Sequence, residues 1–152
     1  MIIQNSILDQ IFQHAIDQYP QECCGMISGI GDTQQVHFCK NIQNQLHQED
    51  PALNPRDATT AYQIDRAEAE VIFAEAKEKK EEIIAFFHSH IEHDAYFSDI
   101  DVAAQTVFGE PEFPNALHVV VSVKKRKISD IKCYKWDKTS GDFVTVISFD
   151  RV

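Results

Sequence analysis

An unbroken apolar run that leads directly into two histidines is the feature that most constrains this fold. Residues 83–87 are Ile, Ile, Ala, Phe and Phe, and His88 and His90 follow with one residue between them. A short continuous apolar run predicts a strand that is buried on both faces. Because residues i and i+2 of a strand point the same way, both imidazoles should lie on one side of the strand end. The pattern therefore predicts a core strand that ends in a pair of metal-binding side chains.

A carboxylate further along the chain can complete such a site. Ten residues separate His90 from Asp101, which lies in a stretch typical of the first turn of a helix. The chain can therefore loop out of the strand and bring a carboxylate back to the two imidazoles. Two histidines and one carboxylate leave the fourth tetrahedral position of a zinc ion for water, as in catalytic zinc sites.

Both halves of this pattern also have a structural interpretation. A single histidine at a strand end is usually structural, although the His-x-His spacing favours a metal site. Ser98 followed three residues later by Asp101 is the pattern of a helix capping box. The apolar positions that then recur at helical spacing are Ile100, Ala103, Ala104 and Val107. Since a helix start can cap itself and still aim one carboxylate at a metal, the two interpretations are compatible.

Length and composition predict one domain, residues 1–152, of which 43% are hydrophobic. The sequence contains no long apolar span and no basic, apolar leader at its start, so we expect a cytoplasmic protein with no membrane partner. A net charge of −10 argues against nucleic acid as a partner. The four cysteines form no CxxC pair, which favours neither a disulfide framework nor a cysteine-rich zinc site.

Periodicity predicts an α/β fold of the mixed α+β kind, with a single mixed sheet flanked by helices. Helices are predicted over residues 6–19, 65–79 and 98–109. Strands are predicted within residues 20–29 and over 35–39, 83–87, 117–123, 128–136 and 143–149, with turns at 31–32 and 124–127. Residues 41–60 are polar, broken by proline and without periodicity, which predicts a long connection that is either mobile or functional.

The spaced residues together resemble the JAMM (MPN+) metalloprotease family. They are the segment Glu22-Cys23-Cys24-Gly25, the segment His88-Ser89-His90, then Ser98 and Asp101. The family pattern is a glutamate in an E-x-C-G-like context followed by H-[ST]-H-x7-S-x2-D, and the resemblance covers essentially the whole chain. One departure is Ile91, where the family usually has proline, and the next three residues are unusually polar for that loop. The resemblance implies a mixed sheet flanked by helices in a cytidine deaminase-like layout.

The resemblance also implies a role for each site residue. His88, His90 and Asp101 would hold one Zn²⁺ per chain, with water as the fourth ligand. Glu22 would act as general base and then protonate the leaving amine, and Ser98 would donate a hydrogen bond to the oxyanion. The chain has 24 acidic residues, so composition alone does not single out Glu22.

The implied substrate is a ubiquitin-like protein. Members of the family hydrolyse peptide or isopeptide bonds after the C-terminal Gly-Gly tail of ubiquitin or its relatives, with the tail held extended beside a strand. Small stand-alone members resemble forms that process sulfur carriers. Residues 41–60 are the candidate wall for that tail.

Two other function classes fit parts of the sequence. A scaffold of the same fold would bind a ubiquitin-like partner without chemistry. The segment from His88 to His93 nearly spells the HxHxDH motif of metallo-β-lactamases, with Glu92 in place of aspartate, and only His118 remains downstream as a further histidine ligand. A zinc deaminase is rejected because H-x-E at His90 is not followed by P-C-x-x-C.

Overall fold

The computed structural model describes residues 3–148 of the chain. Within them the helices are α1 (Asn5–Gln18), α2 (Gln43–Glu49), α3 (Arg66–Glu78) and α4 (Asp99–Gln105). The strands of the same range are β1 (Cys24–Ile30), β2 (Thr33–Cys39), β3 (Glu82–Ile91), β4 (Thr106–Val107), β5 (Glu110–Pro111), β6 (Leu117–Lys124), β7 (Lys127–Asp137) and β8 (Asp142–Ser148).

Six of these strands form one sheet in the order β2-β1-β3-β6-β7-β8, while β4 and β5 form a small separate hairpin. Neighbouring strands of the large sheet are antiparallel, except β3 and β6, which run parallel. A parallel pair requires a crossover connection, and the segment that contains α4 supplies it. The predicted mixed sheet flanked by helices is confirmed.

The apolar run of the sequence forms the centre of the sheet. β3 lies between β1 and β6 and is buried from Ile84 to Ile91. Successive residues of β3 face opposite sides, so Phe87 packs into one apolar cluster and Phe86 into another. The strand extends past the predicted 83–87 to include both histidines, which therefore have the rigid backbone of a central strand.

Helices cover the two faces of the sheet. α1 packs on one face through Ile7, Leu8, Ile11 and Ala15. α3 packs on the other face through Ala69 and Ile72, and it begins where the Asp65 side chain accepts a hydrogen bond from the backbone N–H of Glu68. Both helices lie within one residue of the predicted bounds. α1 and α3 therefore close the apolar core on both faces of the sheet.

The predicted apolar face and length of the third helix are wrong. α4 ends at Gln105, because the next residues turn into the β4–β5 hairpin. Ile100 is 40% exposed and Val107 is 54% exposed, whereas Asp101 and Gln105 are buried. The helix turns its polar side inward because those two side chains have partners there: Gln105 donates to the hydroxyl of Tyr62, and Asp101 meets the histidines.

The connection predicted over residues 41–60 contains the short helix α2, which the sequence pattern missed. This helix buries Gln43 rather than an apolar side chain, so it has no apolar periodicity to detect. Its neighbours are held by side chains: Asn44 Oδ1 accepts from the backbone N–H of Ala58 at 2.8 Å, and His47 Nδ1 lies 2.7 Å from the carbonyl oxygen of Asn54. These hydrogen bonds give the connection a defined place in the fold.

Other features of the fold agree with the sequence. The basic run forms the turn between β6 and β7, with positive φ at Lys125 and Arg126, and Gly31 with Asp32 connects β1 to β2. All four cysteines are buried and unpaired. The last strand begins at Asp142, and residue 149 of its predicted range lies outside the described residues. Within residues 3–148, no helix combines the length and apolar character needed to cross a bilayer.

Candidate metal centre

His88 and His90 project together from the end of β3. Their Nε2 atoms lie 3.2 Å apart, and both side chains are buried. His90 Nδ1 lies 2.8 Å from the carbonyl oxygen of Asp94, so a neutral His90 carries its proton on Nδ1 and presents a lone pair at Nε2. The ring of His88 stacks on Tyr62, with centroids 4.5 Å apart. Both imidazoles are thus held in orientations that suit metal ligands.

Asp101 reaches the same point from the first turn of α4. Its Oδ1 lies 3.1 Å from His88 Nε2, and its Oδ2 lies 3.3 Å from His90 Nε2. The same Oδ2 accepts a hydrogen bond from the backbone N–H of Ser98 at 2.8 Å. Ser98 Oγ in turn accepts from the backbone N–H of Asp101 at 3.1 Å. One carboxylate therefore closes the capping box and also faces both imidazoles. The capping interpretation and the metal-site interpretation of Asp101 are thus compatible in the structure.

The electrostatics of this group follow from its burial. Burial lowers the pKa of His88. For His90 burial acts in the same direction, but hydrogen bonds to Asp101 and to the Asp94 carbonyl outweigh it and raise the pKa. Burial opposes the charged form of Asp101 as well, yet its charge interaction and hydrogen bond with His88 hold the pKa of this carboxyl well below its usual range. A negative charge thus sits between two imidazoles in a buried site.

The three separations fit a tetrahedral metal ion. Bonds of about 2.0–2.1 Å to a tetrahedral zinc ion put neighbouring ligand atoms about 3.3–3.4 Å apart. The observed separations among His88 Nε2, His90 Nε2 and the Asp101 oxygens are 3.1–3.3 Å. Two imidazole nitrogens and a carboxylate are also the donor set that such an ion uses. The residues therefore fit a metal ion both in chemistry and in spacing.

Glu22 approaches the same two histidines from the segment just before β1. One of its carboxylate oxygens is within 4.8 Å of a ring nitrogen of each, and these three buried residues can hold a metal ion. Glu22 is 6% exposed, and burial raises the pKa of its carboxyl to about 8. Asp101 and Glu22 therefore both present a carboxylate to the two imidazoles.

Backbone contacts fix the position of Glu22 just before β1. Its N–H donates to the carbonyl oxygen of Ala58 at 2.7 Å, and its carbonyl oxygen accepts from Asn41 Nδ2 at 2.9 Å. The register of β1 on β3 pairs Cys24 with His88. This long-range pairing brings Glu22 to the histidines. No local sequence pattern predicts that contact.

A pocket of about 430 Å³ opens above these residues. Glu22, His90, Ser98 and Asp101 contribute to its wall. Further lining residues, none of which had been singled out as a site residue, are Arg56, Thr60, Tyr62, Tyr96 and Ile100. Arg56 and Thr60 belong to the connection 41–60, so this segment does form part of the pocket wall. Only the position of Tyr62 directly after that segment could have indicated that it lines the pocket.

The remaining residues of the suggested metallo-β-lactamase motif, Glu92, His93 and His118, do not meet at one point. Glu92 Oε1 accepts hydrogen bonds from the hydroxyl of Tyr19 and from the backbone N–H of Lys125, both at 2.7 Å. His93 is exposed at the pocket rim, as expected for a loop histidine. His118 is buried and stacks on Phe86 with centroids 5.7 Å apart. These three side chains face different parts of the molecule.

Comparison with known proteins decides the family. Residues 4–136 match the family described as prokaryotic homologs of the JAB domain. The chain belongs to this family. This confirms the family that the spaced residues indicated, and the JAB domain accounts for most of the chain.

A curated relative of this JAB domain has a named activity. It is the CysO-cysteine peptidase of Mycobacterium tuberculosis, 23% identical over 137 residues, which cover 89% of this chain and 82% of the relative. The corresponding protein of Mycobacterium bovis matches equally well.

Solved structures share the fold of this JAB domain. A protein from Desulfitobacterium hafniense has a TM-score of 0.68 at 16% identity and covers 94% of this chain and 87% of its own. A JAB1/MPN domain protein from Archaeoglobus fulgidus has a TM-score of 0.54 at 17% identity, with coverage of 95% and 94%. At these identities the likeness supports the fold alone.

Proposed function

We propose that this JAB-domain protein, as a single domain over residues 1–152, is a zinc-dependent peptidase that cleaves the bond after the C-terminal tail of a ubiquitin-like protein. The observation that carries the proposal is the convergence of Glu22 with His88, His90 and Asp101 beneath an open pocket. The activity named for the mycobacterial relative supports the same reaction class.

His88, His90 and Asp101 would hold one Zn²⁺ ion, and their mutual separations of 3.1–3.3 Å support this ligand set. When bound, such an ion supplies Lewis-acid polarisation of a carbonyl and lowers the pKa of water. The hydrogen bond between His90 Nδ1 and the Asp94 carbonyl keeps Nε2 free for this task.

Glu22 would move the proton of the hydrolysis. Its carboxylate takes a proton from water, whose oxygen bonds to the scissile carbonyl carbon. The C–N bond then breaks, and Glu22 returns the proton to the leaving nitrogen, so that the products are an amine and the carboxylic acid of the tail. Burial raises the pKa of this carboxyl to about 8, which favours holding the proton between these two steps. A bound Zn²⁺ would favour the ionised form that first accepts the proton.

Ser98 would stabilise the oxyanion of the same reaction. Its Oγ serves as an acceptor in the capping box, which leaves the hydroxyl proton available for donation. Because Ser98 lines the pocket beside Asp101, that proton can reach a carbonyl oxygen bound there. Removing a donor of this kind typically costs about 10²–10³ in rate.

The proposed partner is a ubiquitin-like protein with a Gly-Gly tail, whose narrow backbone can pass Thr60 on the pocket wall. Four unpaired cysteines fit a reducing compartment, which supports the cytoplasm as the place of action.

Zinc analysis combined with a hydrolysis assay tests the proposal. The purified protein is expected to carry about one Zn²⁺ per chain and to cleave at least one of a panel of ubiquitin-like proteins extended beyond Gly-Gly. Chelation should abolish cleavage and added Zn²⁺ should restore it. A zinc-loaded protein that cleaves none of the panel would instead identify a binding scaffold.

A further inference from the structure

One cationic side chain lies in the wall of an otherwise acidic pocket. Arg56 is the sole lysine or arginine among the described residues that line it, and the neighbouring carboxylates are Glu22, Asp99 and Asp101. Within residues 3–148, the guanidinium of Arg56 takes part in no ion pair, whereas Arg66 is paired with Glu70 and Glu112. An exposed arginine in the pocket wall can receive a negatively charged group from the substrate.

The backbone of Arg56 is tied to that of Glu22 by a chain of three hydrogen bonds. Gln43 Nε2 donates to the carbonyl oxygen of Arg56 at 2.9 Å. The backbone N–H of Gln43 donates to Asn41 Oδ1 at 3.0 Å, and Asn41 Nδ2 donates to the carbonyl oxygen of Glu22 at 2.9 Å. Gln43 is buried, so this link is shielded from water. The base of the Arg56 side chain therefore has a fixed position relative to Glu22.

Arg56 and Glu22 also line the same pocket. In the proposed reaction, Glu22 delivers a proton to the leaving nitrogen in that pocket. In an amino acid, the α-carboxylate is separated from that nitrogen by one carbon atom. A cation in the wall of the same pocket can therefore reach the carboxylate of a leaving group that is a single amino acid.

We infer that Arg56 binds the free α-carboxylate of a single amino acid attached to the carrier tail. This inference rests on the proposed function and assigns the residue that recognises the free carboxylate of the released amino acid. A planar guanidinium can bind a carboxylate through two parallel hydrogen bonds. A longer peptide, or a lysine side chain in isopeptide linkage, presents an amide or a methylene group at that place and gains nothing from the charge.

Paired substrates test this inference in the cleavage reaction. The carrier that the wild-type protein cleaves is prepared with one alanine after Gly-Gly, either as the free acid or as the C-terminal amide. Arg56→Gln should lower kcat/KM for the free acid by about 10- to 100-fold, mainly through KM, and leave the amide within about twofold. Arg56→Lys should recover part of the loss. Arg66→Gln removes the same charge outside the pocket and should change neither substrate.

Binding gives a second readout that needs no turnover. A fluorescein-labelled peptide that ends in Gly-Gly-Ala is titrated, as acid and as amide, into zinc-loaded Glu22→Gln protein while anisotropy is followed. The acid should bind about 10-fold more tightly or better, and the added change Arg56→Gln should abolish that preference.

The inference would be overturned if the wild-type protein bound and cleaved the free acid and the amide equally well. It would also be overturned if the preference for the free acid survived Arg56→Gln. Cleavage of both substrates would leave the proposed peptidase intact in that case. If no carrier is cleaved, the proposed function fails, and the inferred substrate class fails with it.

Discussion

Ser89 Oγ accepts a hydrogen bond of 2.7 Å from the backbone N–H of Cys23, although the two residues are 66 positions apart. The backbone N–H of Ser89 returns a bond of 3.0 Å to the carbonyl oxygen of Cys23. Ser89 is fully buried between the two histidines, and Cys23 directly follows Glu22. The residue between the proposed ligands therefore holds the proposed base in place.

Ser89→Ala tests this positioning. The substitution leaves the Cys23 N–H buried without an acceptor, which should cost about 1–3 kcal/mol of unfolding free energy. Because both histidines stay on β3, zinc content should be unchanged while kcat falls. Urea unfolding, metal analysis and kinetics on one preparation separate these effects. Ser89→Thr keeps the hydroxyl and should recover most of the activity; an alanine variant with wild-type kcat would show that Glu22 does not depend on this bond.

Ser98 combines a structural and a proposed catalytic role, which two substitutions separate. Ser98→Ala removes the cap and should cost about 1 kcal/mol of stability, and it should also lower kcat by about 10²–10³. Ser98→Thr retains a hydroxyl that can cap and donate. Rate measurements well below the unfolding temperature distinguish the roles. If the alanine variant loses stability and keeps its rate, Ser98 acts only as a cap.

Asp101→Asn should separate metal binding from helix capping. The amide oxygen can still accept from the Ser98 N–H, so the capping box should survive. The unfolding free energy without metal should still fall, because the charge interaction between Asp101 and His88 is lost. The loss of a charged ligand should weaken zinc affinity by more than the roughly 10- to 100-fold that loss of an outer contact costs. Competition with a chromogenic chelator measures the affinity. Wild-type zinc affinity in this variant would remove Asp101 from the ligand set.

Gly25 makes the close approach of β1 to its neighbours possible. A Cβ atom there would collide with the carbonyl oxygen of His37 and with the ring of Phe87. Gly25→Ala should therefore cost at least about 3 kcal/mol in urea unfolding, at the upper end of the range for overpacking. Gly141→Ala is the control: its Cβ would meet nothing within 4 Å, and only its φ of +65° opposes the change, so about 1–2 kcal/mol is expected. Equal losses would mean that the β1 backbone can move aside.

The sequence could predict the parts of this site that are local. The apolar run of β3 and its two histidines needed only strand periodicity, and the Ser98–Asp101 pair needed only the spacing of a capping box. Glu22 came from family resemblance, because its contact with the histidines depends on the register of β1 on β3. Glu22 is buried because the sheet assembles around it, and the residues next to it in sequence do not predict that burial.

The errors have a common physical origin. Ile100 and Val107 were assigned to a buried face because apolar spacing is the usual sign of a core helix, but α4 turns Asp101 and Gln105 inward. α2 was missed because it buries Gln43. Both helices are built around polar contacts with the site, so hydrophobic periodicity gives the wrong face for one and no signal for the other.

Glu22→Gln is the most direct test of the account. The amide nearly preserves the size of the side chain and cannot accept or return the proton. We expect the variant to bind about one Zn²⁺ per chain, as the wild type does, and to lose cleavage of the ubiquitin-like substrate by several orders of magnitude. Zinc content and single-turnover cleavage, measured on the same sample, decide the question. A zinc-loaded Glu22→Gln protein that cleaves at the wild-type rate would contradict the proposed mechanism.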